Sequence, residues 1–308
     1  MSKVEGICHL CGQYAELSFE HVPPKSANNK DRARLLTGKE IFNTQKLRAG
    51  KSLRYINQQQ GAGNYTLCKD CNNNTGDWYA KEYIKFANEI GYILTNQIDL
   101  NTAKGIVLDS NKLYFQRIIK QILCMFLSTI QPEYAMIFND IREYVLNKES
   151  TAFNDKKYRI SMYLLKNYEI SHSGVVSVLV KEKNEIIIRK VAIMNLYPIG
   201  FILEIDPTGK EIENTTDITK FTTLRYDELQ NVVMTFSITE KYSLHNFTKN
   251  FIKENSNRSE NNDTIKKQTI YSTRNYDKIQ TENYGKFLKS KSGKAIINVA
   301  INSHYEHD

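Results

Sequence analysis

Apolar residues recur along this chain in changing rhythms, and the rhythm assigns the elements. Trp78, Tyr79, Tyr83, Phe86, Ala87 and Ile90 fall at helical spacing, with Lys81, Glu82, Lys85 and Glu89 on the opposite face. A second helix is predicted from Lys112 to Thr129, with Phe115, Ile118, Ile119, Ile122, Leu123 and Phe126 as its apolar surface. A third runs from Pro132, a residue suited to a first helical turn, to Asn147, burying Met136, Ile137, Ile141, Tyr144 and Val145. Beyond residue 155 the rhythm shortens. Tyr158–Leu165, Val175–Val180, Ile186–Ile193, Phe201–Ile205 and Val232–Ile238 are β-branched or aromatic runs between Asn, Gly, Asp and Lys, and read as strands of an antiparallel sheet.

The two ends are more polar. Tyr14–Phe19 predicts a short strand leading into Pro23-Pro24, and residues 25–63 form a basic, loop-like insertion with room for one short helix. From Lys249 to about Lys286, Asn, Ser, Thr and charged residues dominate, which predicts a flexible tail. No internal repeat is present. The expected fold class is α+β, in four segments: an N-terminal module at 1–76, a helical segment at 77–150 packing on it, a mainly antiparallel β region at 151–248, and a polar tail at 249–308.

Composition narrows the partners. The 308 residues are 41% hydrophobic and carry a net charge of +8, which excludes wholesale disorder and favours an anionic partner. Nine basic residues (Lys25, Lys30, Arg32, Arg34, Lys39, Lys46, Arg48, Lys51, Arg54) face only Asp31 and Glu40 between positions 25 and 54, so one stretch holds nearly the whole excess. The most apolar run, Ile118–Ile130, is too short to span a bilayer and contains Lys120 and Gln121. With no secretory signal ahead of Cys8, a cytoplasmic location without a membrane partner is expected. No Walker-type phosphate loop occurs.

Four of the five cysteines form two C-x-x-C pairs, Cys8/Cys11 and Cys68/Cys71. Each such turn offers two thiolates from one tight loop, and two turns close a tetrahedral zinc site with no open position. The pairs predict a structural zinc that pins the ends of a large loop.

Within that loop stands Glu20-His21-Val22-Pro23-Pro24-Lys25-Ser26, and the second pair sits in Leu67-Cys68-Lys69-Asp70-Cys71-Asn72. In this order the motifs resemble those of HNH endonucleases of the ββα-metal class, over about a quarter of the chain. The resemblance implies a ββα-metal module, His21 as general base, and one catalytic Mg²⁺ or Mn²⁺ held by Glu20 and Asn72. It implies that Asn64 orients the imidazole. This chain departs from the family in having Glu rather than Asp at 20 and Asn rather than His at 72. Gly63 occupies the usual place of the asparagine now at 64, and Asn73 and Asn74 stand as alternative ligands.

The chemistry suits the residue types. Phosphodiester hydrolysis needs a water deprotonated near neutral pH, which imidazole serves, and a cation at the leaving oxygen, which hard oxygen donors bind. Lys25, Lys30, Arg32, Arg34, Lys46, Arg48, Lys51 and Arg54 would contact phosphates independently of sequence, with double-stranded DNA the leading substrate and RNA the other. Family analogy extends to bacterial restriction and antiphage effectors. Two other functions compete: a non-catalytic, zinc-stabilised nucleic-acid-binding protein, and a nuclease subunit whose β-rich half docks a licensing protein partner.

The remaining candidates have plainer readings. His9 is expected on the exposed rim of its turn, and His172, His245, His304 and His307 at surface or turn positions. Cys124 reads as a packed thiol. Trp78, Tyr79 and Tyr83 pack their helix on the zinc module, and Arg117 and Lys120 lie on a solvated helix face.

Overall fold

The structure is a computed structural model that describes residues 3–31, 33–37, 56–59, 61–100, 102–168, 170–182, 185–208, 211–239 and 279–283. Its N-terminal strands are β1 (Glu5–Ile7), β2 (Tyr14–His21), β3 (Ala33–Thr37), β4 (Ile56–Gln58) and β5 (Gly63–Cys68). β2 is the central strand of a three-stranded antiparallel sheet, with β1 on one side and β5 on the other. The polar insertion thus connects the two arms of a hairpin, and its described residues carry two strands, β3 and β4; the stretch 38–55, with room for the expected short helix, lies outside the described residues.

Directly after Cys68 the chain becomes helical. α1 (Lys69–Thr75), a π-helical stretch over Gly76–Ala80 and α2 (Lys81–Asn96) form one unbroken run, since Gly76 (φ −58, ψ −46) and Lys81 (φ −59, ψ −45) keep helical dihedrals. Tyr79, Tyr83, Phe86, Ala87, Ile90 and Leu94 are buried along it, the stripe that the spacing predicts.

The next helix starts three residues later than its apolar pattern suggests. Lys112 is left-handed (φ 62) and Tyr114 is non-helical (φ −86, ψ 79), so α3 spans Phe115–Thr129. The residues before it form β6 (Gly105–Leu113), a strand concealed by its polar stretch Asp109-Ser110-Asn111-Lys112. The third predicted helix is two: α4 (Pro132–Ile137) and α5 (Asn139–Leu146) break at Phe138 (φ −85, ψ 51). There the backbone turns to place the buried Phe138 ring 5.8 Å from Tyr158, edge to face.

The larger sheet adds β7 (Tyr158–Leu165), β8 (Ile170–His172), β9 (Val176–Glu182), β10 (Glu185–Leu196), β11 (Ile199–Ile205), β12 (Thr216–Asp217) and β13 (Gln230–Thr239). Its order is β6-β13-β7-β11-β10-β8, with β12 on β7 and β9 on β10. All of these pairings are antiparallel except β13 with β7. β6 comes from the segment expected to be helical, so the middle and C-terminal segments share one sheet. β14 (Ile279–Asn283) pairs with β3, and the rest of the expected tail lies outside the described residues.

The middle of the sheet is covered on both faces, so every residue of β11 is buried, Glu204 included. Ile160, Met162, Leu164, Phe201 and Leu203 join one hydrophobic core with Leu10, Leu67, Tyr83 and the α3 residues. Tyr163, Leu165, Val191, Ile193 and Ile202 point the other way, against Val176, Val178 and Ile212. The N-terminal module, helices and sheet are thus bound by a common interior.

α3 runs through that interior, and this overturns the solvated-face reading of its cations. Arg117 lies 4.0 Å from each of the Tyr114 and Tyr226 ring centres and donates from Nε to the Tyr226 carbonyl at 2.9 Å. Lys120 is fully buried. Its Nζ donates to the carbonyls of Asn147 (2.8 Å), Lys148 (2.9 Å) and Ser150 (2.9 Å), 4.3 Å from the Tyr144 ring centre. It therefore caps the C-terminal end of α5 with positive charge. Burial pulls its pKa down to about 7, opposed by the charge of the nearby Glu149 carboxylate. Lys120→Met leaves three inward carbonyls without their donor and is expected to lower unfolding free energy by about 3 kcal/mol. Chemical denaturation of wild type and variant measures the difference.

Candidate metal centre

The first cysteine pair sits on a turn that only glycine closes. Gly12 adopts φ +77, and a β-carbon there would stand 2.5 Å from Arg142 Nη2. The turn is held by Gly12 N–H to the Cys8 carbonyl (2.8 Å) and Cys8 N–H to the Gln13 carbonyl (2.9 Å). The second pair straddles the junction of β5 and α1, with Cys68 as the residue before the helix. All four sulfurs lie within 4.8 Å of one another, and Cys11 Sγ is 3.9 Å from Cys68 Sγ.

Those separations fit zinc. Bonds of about 2.3 Å in a tetrahedron put sulfurs about 3.8 Å apart. The cluster is also built for thiolate. The amide of Cys68 donates to Cys8 Sγ at 3.3 Å, at the positive end of α1. Cys8 is pulled down to about 4, first by a hydrogen bond from Cys71 and then by surrounding amides, with burial opposing. The same hydrogen bond and burial push Cys71 up.

Helices grip this turn from outside the module. His9 is 5% exposed, its Nδ1 is 2.8 Å from the Leu127 carbonyl on α3, and its amide donates to the Thr66 carbonyl at 2.9 Å. It is a buried tie rather than an exposed rim residue. Arg142 on α5 donates from Nε to the Leu10 carbonyl at 2.7 Å. His172, expected at the surface, is likewise buried, on β8.

At the far end of β2 the register decides which residues meet. Glu20 stands opposite Asn64 and His21 opposite Gly63, because a β-bulge at Thr66 inserts one residue into β5. Without it, continuous pairing from Ser18↔Leu67 would set Asn64 opposite His21, the partnership expected from the resemblance. The bulge moves Asn64 to the Glu20 side. No side chain fits at 63, where a β-carbon would lie 2.1 Å from the Glu20 carbonyl oxygen and 2.7 Å from the Phe19 ring.

Residues alternate faces along β2, so Ser18 and Glu20 share one face and Phe19 and His21 the other. Asn72 on α1 donates to Ser18 Oγ at 3.0 Å and to the Phe19 carbonyl at 3.3 Å. Its amide nitrogen is thereby used, which leaves Oδ1 as the atom for a cation. Glu20 is 7% exposed, and burial pushes its carboxyl up to about 8. A carboxylate and an amide oxygen are both hard donors, the type that Mg²⁺ and Mn²⁺ take. The half-buried His21 ring packs edge-on against Phe19, with ring centres 4.9 Å apart.

One residue that the motifs do not reveal holds this end together. Asn29 is fully buried and donates from Nδ2 to the carbonyls of Pro23 (2.6 Å) and Ala62 (2.8 Å), while its Oδ1 accepts from the Ala62 amide (2.7 Å). It joins the two ends of the insertion. Its only sequence signal is a position just past Pro23-Pro24, shared by Asn28 beside it.

No family model, curated protein or solved structure matches the chain.

Of the basic residues, Lys25 and Lys30 are exposed on the turn after β2, and Arg34 lies in β3. Arg32, Lys39, Lys46, Arg48, Lys51 and Arg54 are outside the described residues, as are His245, His304 and His307. No helix among the described residues is long and apolar enough to cross a membrane.

Two tests follow from this geometry. Elemental analysis is expected to find one zinc per chain, lost on Cys11→Ser or Cys68→Ser. Stripping the metal should lower the thermal midpoint sharply, since a structural zinc contributes on the order of 10 kcal/mol to folding.

The second concerns Glu20. An unfolded chain ionises this carboxyl near 4.5, whereas the folded chain keeps its proton up to about 8. Between those values the folded state binds more protons, so stability falls as pH rises, by about 1.4 kcal/mol per unit. Without added divalent ion, the thermal midpoint of the zinc-loaded wild type should decline from pH 6 to 8 more steeply than that of Glu20→Gln.

Proposed function

We propose that the chain is a metal-dependent endonuclease of the HNH type, hydrolysing phosphodiester bonds in DNA. The observation that carries this reading is the pair of hydrogen bonds from Asn72 to Ser18 and Phe19, which brings the helix residue beside the strand end bearing Glu20 and His21. Hairpin, helix and cysteine cluster follow in the order that a ββα-metal module requires.

In this mechanism His21 accepts the proton of the attacking water, and its position at the end of β2 opens it to the substrate. Glu20 and Asn72 would hold one divalent ion, Mg²⁺ or Mn²⁺, whose chemistry would be charge neutralisation at the leaving oxygen. The buried Glu20 carboxyl, neutral while it keeps its proton, would serve as ligand in its ionised form, its charge then paired with the cation. Lys25 and Lys30 hold backbone phosphates beyond the strand end. A zinc held by Cys8, Cys11, Cys68 and Cys71 would do no chemistry and would fix the distance between strand and helix.

The deciding experiment is plasmid and oligonucleotide cleavage with Mg²⁺, with Mn²⁺ and without added divalent ion. Wild type should cleave only with a divalent ion. His21→Ala should lose at least about a hundredfold in rate, the lower range for a removed general base, while retaining its zinc. Undiminished cleavage by His21→Ala overturns the assignment.

A further inference from the structure

The turn that leaves β2 after His21 is also one wall of a cleft of about 640 Å³. The second wall is the outer face of α2, and the third comprises the β7–β8 turn and Tyr197 between β10 and β11. Three hydrogen bonds tie the walls together. Asn88 Nδ2 donates to the Ser26 carbonyl at 3.3 Å, the Tyr168 hydroxyl donates to the carbonyl of left-handed Asn28, and the Thr95 and Tyr197 hydroxyls are 3.5 Å apart. Gly91 of α2 also lines the cleft.

The lining has a definite chemistry. Tyr92, Tyr168 and Tyr197 present aromatic rings, with Tyr168 and Tyr197 5.3 Å apart and tilted by 42°. Tyr92 is 61% exposed, an unusual position for a large ring. Lys30 and Lys166 bring two ammonium groups against the single carboxylate of Asp31, and four asparagine amides lie between them.

From this lining we infer that the cleft binds a nucleotide. A base stacks on tyrosine and offers its edge to the amides, and its phosphate meets Lys30 or Lys166. The volume lies within the range of small-molecule sites, about 300–1,000 Å³. A duplex hides the faces of its bases, so the occupant is an unpaired nucleotide, either in a strand or free. That the strand is the enzyme's own substrate rests on the nuclease reading; the nucleotide chemistry does not.

The test uses the full, zinc-loaded chain without added divalent ion. Fluorescence anisotropy would follow labelled oligothymidylate and an equally long duplex, with unlabelled thymidine monophosphate as competitor. Tyr92→Ala and Lys166→Ala should each weaken oligothymidylate binding by about tenfold, the loss expected of one stacked base or one phosphate contact. Tyr92→Phe should restore it. Tyr14→Ala removes a 70% exposed tyrosine on β2 and should leave binding unchanged. Competition by the mononucleotide at concentrations comparable to the oligonucleotide identifies a free nucleotide as the occupant; its absence identifies the strand. The inference is overturned if oligothymidylate and mononucleotide both fail to bind, or if both alanine variants bind like wild type. The nuclease reading stands apart: wild type that cleaves while the variants bind normally refutes only the cleft, and lost binding without any cleavage refutes only the nuclease.

Discussion

The rest of the N-terminal architecture depends on the four cysteine sulfurs meeting. Cys11 and Cys68 are 57 positions apart, and joining them closes a loop whose connecting segment is polar and has little apolar surface to bury on its own account. Chain entropy opposes that closure, and a tetrahedral metal–thiolate site is strong enough to offset it. The same turn also receives His9 and Arg142 hydrogen bonds involving α3 and α5, so the position of the sulfur cluster is set jointly with the hydrophobic core. Strand end and helix start meet at the cysteines on one side and at packed helices on the other.

Two buried glutamates show how differently the interior treats a carboxyl. Glu204 lies 2.9 Å from Arg189 and 3.4 Å from Arg159, a conventional internal ion pair. Among the described residues, no ion pair reaches Glu20, and burial holds its proton on to about 8. Natural interiors seldom leave an acid in that condition without use. Glu204 has a guanidinium on either side of it, whereas Glu20 meets burial without that compensation.

Much of this was legible in the residues themselves. The C-x-x-C spacings predicted a four-sulfur cluster, and the stripe from Tyr79 to Ile90 predicted which face of α2 turns inward. Periodicity failed where tertiary contacts override it. α3 is buried on nearly every side, so Lys120 on its polar stripe found carbonyls instead of water. β6 escaped notice because its second half is the unbroken polar run Asp109-Ser110-Asn111-Lys112, and the third helix broke because Phe138 has a ring to pack against. The face on which Asn64 lies depends on a single extra residue at Thr66, and no spacing along the sequence records a bulge.

The Asn29 clamp carries a different kind of consequence. By bonding Pro23 and both backbone groups of Ala62, it fixes the two feet of the insertion independently of whatever lies between them. The intervening stretch can therefore gain, lose or exchange basic residues over evolutionary time without displacing Glu20, His21 or Gly63. Such a mounting separates the composition of the insertion from the placing of the strand ends, so a lineage could alter the first while inheriting the second unchanged.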